Sequence, residues 1–155
     1  MRKEQVTTIF TMLNFHLKDK LSLRFVNSGY WKSKGSRGHI NHPTQTINCN
    51  WRVLKNSDYS RTVKFLLHEI GHSIHRKYVL DEVTRRCAEM DTSKMKKVLM
   101  ETHDISKAVG VMGEDIREIG AFVKENMEHD FSEKIATEKG DNFYCTTFLK
   151  GGIQI

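Results

Sequence analysis

The sequence predicts an α+β fold in one domain, residues 1–155. A small twisted sheet packs on a central helix, and the C-terminal half is helical. Three observations predict this. A chain of 155 residues suits a single core and leaves no room for two ordinary domains. Short alternating apolar segments are confined to residues 21–54, while apolar spacing of three and four residues recurs on either side. Only one proline, Pro43, interrupts the chain.

Val6, Ile9, Phe10, Leu13 and Leu17 give residues 4–18 one apolar face, an opening helix. Residues 21–27 alternate Leu21, Leu23 and Phe25 and read as a strand. A turn-rich stretch follows at 27–38. Residues 39–54 read as one or two short strands, with Pro43 at an edge or loop. Asn56, Ser57, Asp58 and Ser60 offer N-caps to a helix over 60–77, whose apolar side carries Val63, Leu66, Leu67, Ile70 and Ile74. A weak helix is expected from Leu80 to Met90. A better one is expected from Ser93 through Ile105 to Gly110, and a long one over 113–128 with Ile116, Ile119, Phe122 and Val123 inward. The tail, residues 142–149, has strand composition.

Composition narrows the function classes. Hydrophobic residues at 38% and aromatic residues at 9% are too many for a disordered chain. No apolar run approaches the ~18 residues that span a bilayer, and polar residues interrupt the segment behind the basic start. No membrane partner or secretory leader is therefore expected. Cys49, Cys87 and Cys145 are odd in number and form no CxxC pair. That points to partly buried reduced thiols and a cytoplasmic setting rather than to a cysteine zinc site. A net charge of +6 permits an anionic partner without requiring one.

The chemistry centres on His68-Glu69-Ile70-Gly71-His72, an HExxH motif inside the expected 60–77 helix. Histidines four apart share one helix face and can converge on one zinc ion at about 2.0–2.1 Å. Glu69, beside the first ligand, reaches a water at the metal rather than the metal, and is the candidate general base. A third protein ligand is still needed. His75 lies about 10 Å along the axis from His68 and cannot share that ion; it is expected in a supporting, substrate-facing or solvated role. The longer HExxHxxGxxH pattern fails, with His75 and Tyr78 at its last two fixed positions. A later carboxylate is the alternative, from Glu82, Glu89, Glu101, Glu114, Glu118 or Glu125. Glu118 has the most favourable neighbourhood, because Gly120 and Ala121 are small enough for close helix approach. Glu114, Asp115, Glu89 and His103 stand behind it.

HEIGH with a glutamate on a later helix resembles the gluzincin branch of the zincin metallopeptidases. Residues 37–51, RGHINHPTQTINCNW, and 58–75, DYSRTVKFLLHEIGHSIH, resemble the strand-then-helix lead-in of small stand-alone members. The nearest patterns are the ImmA/IrrE-type peptidases, the minigluzincins and the catalytic domain of anthrax lethal factor. In these the third ligand often opens an ExxA pattern, which Glu118-Ile119-Gly120-Ala121 matches. The resemblance implies a zincin-like fold, one zinc per chain on His68, His72 and Glu118, and Glu69 as general base. It also implies a protein or peptide substrate paired along an edge strand near Thr44–Asn48. His103 and Tyr144 are the candidates for oxyanion donor. SprT-like DNA-associated proteases share the early order of elements but use a third histidine. A zincin-fold binding protein with little or no activity is the remaining alternative.

Other features are read as surface. Lys32, Lys34 and Arg37 among glycines lack the GK[ST] of a phosphate loop and suit a basic surface loop. Lys94, Lys96 and Lys97 suit the solvated side of a helix and support nucleic-acid binding only weakly. His39 and His42 are expected on solvated strands and turns, and Trp31 and Trp51 in core or cleft walls.

Overall fold

The computed structural model describes residues 1–26, 31 and 35–150. Lys32 and Lys34 of the expected basic loop lie outside them. The architecture is α+β, predominantly helical, with one three-stranded mixed sheet.

Helix α1, Lys3–Phe15, buries Val6, Phe10 and Leu13, the apolar stripe read from the sequence. Asn14 then pairs with the backbone of Leu21 in both directions, at 2.8 and 3.1 Å, and steers the chain into strand β1, Ser22–Val26. Strand β2 is Gly38–Asn41 and β3 is Thr46–Asn50. The spatial order is β1-β3-β2, with β1 parallel and β2 antiparallel to β3. Residues Thr44–Asn48 therefore do not form the expected edge. From Thr46 on they belong to the central strand, which is paired on both sides, and β1 and β2 are the edges. Ile47 and Cys49 of β3 are fully buried; Asn48 and Asn50 on its other face are 4% and 2% exposed.

After a short helix α2, Trp51–Leu54, Asp58 caps helix α3, Tyr59–Glu89, by accepting the Arg61 N–H at 2.8 Å. Leu66 and Ile70 of α3 are fully buried and join Phe10, Leu13, Ile40, Ile47 and Cys49 in one core. The helix does not stop near residue 77. No glycine or proline breaks it, and the expected weak helix at 80–90 is its continuation, carrying surface ion pairs from Arg85 and Arg86 to Glu82 and Glu89.

The expected helix from 93 to 110 is two helices, α4 at Ser93–Thr102 and α5 at Ile105–Gly110. His103 adopts φ +53° at the break and Asp104 caps α5. Helix α6 is Gly113–Asn126. Helix α7, His129–Tyr144, has no counterpart in the sequence reading. Its apolar residues are too sparse for a clear stripe, and its start depends on Glu128, which accepts the N–H groups of Asp130 and Phe131. The strand expected at 142–149 is instead the end of α7 and a π-helical segment, Cys145–Lys150. A helical course lets Phe143 and Tyr144 meet Phe148, with ring centroids 6.3 and 5.5 Å apart, against the core.

The chain forms two compact units. The first comprises Met1–His75 with Glu133–Ile155; the second is Arg76–Ser132. Among the described residues, no helix is long and apolar enough to cross a membrane.

Candidate metal centre

His68 and His72 lie one turn apart on α3, their ring centroids 4.7 Å apart and their planes nearly perpendicular. Helix α7 sets Glu133 against both. Its Oε2 lies 2.6 Å from His68 Nε2 and its Oε1 3.2 Å from His72 Nε2. The three side chains thus place ligand atoms within 4.8 Å of one another, and no other such group of three occurs among the described residues. All three belong to the first compact unit.

Small residues permit this approach. A Cβ on Gly71 would lie 1.7 Å from the Ala136 carbonyl oxygen, and one on Gly140 would lie 2.2 Å from the Leu67 carbonyl oxygen. Glu133, Ala136 and Gly140 recur at three- and four-residue spacing, so one face of α7 carries both the carboxylate and the two small contacts. The glycine inside the HEIGH motif is therefore a packing requirement.

The carboxylate that the structure brings to the two motif histidines is that of Glu133 on α7, and Glu118 is not in that group. Glu118 is exposed on α6, and Gly120 has nothing within 4 Å of where its Cβ would be. Glu114, Asp115 and Glu89 are exposed as well. His103 is exposed at the α4–α5 break, and Tyr144 is half-buried on Phe148. A usable signal for Glu133 was present, because Glu133-Lys134-Ile135-Ala136 is a second ExxA, followed four residues later by Gly140.

Glu69 is 6% exposed. Burial, and then the charge of Glu133, push its carboxyl up to about 8, although the backbone N–H of Ile40 in β2 hydrogen-bonds to it. Burial also lowers the pKa of His72, keeping the imidazole neutral as a metal ligand requires. His75 is only 2% exposed, which excludes the solvated role. The Cys49 thiol is pushed up to about 12, by burial and then by Glu69, and is an inert core group. Cys87 and Cys145 are exposed rather than partly buried. Lys94, Lys96 and Lys97 are exposed as expected. His39 is half-buried against Trp31 and Asn48 rather than solvated, and Trp51 stacks edge-on with Phe25 at the core margin.

The Glu69 shift has a consequence for the metal-free protein. Its carboxyl holds a proton up to about pH 8 in the fold, but only up to its ordinary value of 4.5 in the unfolded chain. Between those limits the fold binds more protons, so its stability falls as pH rises from about 4.5 to 8. Thermal unfolding of metal-stripped protein is expected to show this fall. Glu69→Gln, neutral throughout, should remove that part of it; an equal slope in the variant would contradict the assignment.

Two imidazole nitrogens and one carboxylate suit a catalytic zinc site, which takes three protein ligands and leaves one position open. No protein-family model matches the chain, and no curated protein or solved structure matches it.

Proposed function

We propose that the protein is a zincin-like zinc metallopeptidase, with His68, His72 and Glu133 as ligands and Glu69 as general base. One observation carries this reading: a carboxylate from a separate helix meets both HExxH imidazoles, while the motif glutamate remains outside the ligand set. Zinc would supply Lewis acidity to a scissile carbonyl and to the attacking water. The remaining work belongs to the chain's own residues. Glu69 takes the proton of the attacking water and passes it to the leaving amine. Its raised pKa suits a group that must both accept and release a proton near neutrality. The Ile40 N–H orients that carboxyl from β2. An extended peptide would pair along β2, an edge strand, replacing the Thr44–Asn48 segment in that role.

A carboxylate third ligand favours the gluzincin-like pattern over the SprT-like one, which needs a histidine there. The test is peptide-library hydrolysis by zinc-loaded protein beside Glu69→Gln. The variant is expected to keep its zinc and lose at least a hundredfold in kcat, within the ~10²–10⁴-fold range of general acid–base catalysis. Equal hydrolysis by both proteins would refute Glu69 as base. Zinc retention without hydrolysis by either would favour the binding-protein alternative.

A further inference from the structure

Thr137 stands one helical turn after Glu133 on α7, and neither the HExxH motif nor the ExxA spacing draws attention to it. Its Oγ1 lies 3.0 Å from His68 Nδ1. The same oxygen lies 3.2 Å from the Glu133 carbonyl oxygen, in the bond that threonine makes back along a helix. A hydroxyl has one proton to give and two lone pairs. When a metal takes the Nε2 lone pair of His68, the proton of the neutral ring is on Nδ1. Toward that N–H the Thr137 hydroxyl accepts, and its own proton goes to the Glu133 carbonyl.

We infer that Thr137 is a positioning residue that holds His68 in the Nδ1–H tautomer, leaving the Nε2 lone pair directed at the metal position. The inference rests on the metal-centre reading. His68 Nε2 is the atom that faces Glu133 Oε2 at 2.6 Å, a contact that holds a proton in the metal-free protein and gives it up when a metal enters; the Nδ1–H···Thr137 bond behind the ring then holds the freed ligand atom in place. A hydrogen bond to the remote nitrogen fixes both ring orientation and ligand basicity. Glu133 and Thr137 thereby form one unit on α7: the carboxylate completes the site, and the hydroxyl four residues later aligns the first histidine. Thr137 is exposed, so replacing its hydroxyl leaves no buried polar group without a partner.

The experiment compares wild type, Thr137→Val and Thr137→Ser, with Glu133→Ala as control. Zinc-loaded, ¹⁵N-histidine-labelled protein is read for the His68 ring N–H resonance and its exchange with water. Zinc affinity is read by competition with a chromophoric chelator. The expected result is a slowly exchanging Nδ1–H in wild type and in Thr137→Ser and a rapidly exchanging one in Thr137→Val, with zinc affinity about 10–100-fold weaker in Thr137→Val only. A rapidly exchanging Nδ1–H in zinc-loaded wild type would overturn the inference, as would a Thr137→Val protein equal to wild type in both readouts. Wild type that binds no zinc and behaves like Glu133→Ala would instead refute the metal centre on which the inference rests.

Discussion

Replacing Glu133 by alanine is expected to weaken zinc binding by more than a hundredfold, whereas Glu118→Ala is expected to leave it unchanged. The carboxylate of Glu133 is the group that bridges the two imidazoles, with an oxygen 2.6 Å from one and 3.2 Å from the other. Losing an outer partner of a ligand costs about 10–100-fold in affinity, and losing a ligand should cost more. Glu133→Gln separates charge from shape. It keeps one oxygen near the histidines but removes the negative charge that balances a divalent ion, so an intermediate loss is expected. The measurement is chelator competition at fixed pH, because protons compete for these same ligands. Equal losses in Glu118→Ala and Glu133→Ala would place the third ligand elsewhere.

The second large effect concerns Gly71 and Gly140. Alanine at an ordinary helical glycine stabilises by up to about 1 kcal/mol. At Gly71 and Gly140 the new methyl would meet backbone carbonyls of the facing helix at 1.7 and 2.2 Å. Backbone cannot rotate away as a side chain can, so α3 and α7 must separate. Overpacking of this kind typically costs about 1–3 kcal/mol, and a backbone obstacle belongs at the upper end. For a chain of this size each kcal/mol lowers Tm by roughly 2–4 °C, so falls of about 5–10 °C are expected for each variant. Zinc affinity should fall with stability, because the same separation withdraws Glu133. Gly120→Ala provides the internal contrast. Nothing lies within 4 Å of that position, so a small gain in stability and unchanged zinc binding are expected. A gain at all three positions would contradict the close helix approach.

These residues also mark how far the sequence could be read. The HEIGH helix was legible because two signals coincide there, a chemical motif and an apolar stripe with Leu66 and Ile70 at its centre. Strand β3 was legible as apolar alternation, yet its central place was not. Asn48 and Asn50 are buried on the other face, where they meet His39 and the Ser36 carbonyl, neighbours that no pattern within the strand announces. Hydrophobic periodicity does not single out Glu133, because the closest approach of α7 to α3 is made at Ala136 and Gly140, small residues that such a pattern does not register. The ExxA spacing occurs at both Glu118 and Glu133. What separates them is the second small residue at Gly140 and its complement at Gly71, a relation between distant segments. In the tail, Phe143, Tyr144 and Phe148 have strand-like composition, while their five- and four-residue spacings suit a helical turn.

The most direct test of the central claim is an anomalous-difference map, recorded at the zinc edge, from crystals of the zinc-loaded protein. One peak is expected, about 2.0–2.2 Å from His68 Nε2, His72 Nε2 and a Glu133 carboxylate oxygen, with Glu69 outside the ligand sphere. A peak that excludes Glu133, or none between the two histidines, would contradict the account.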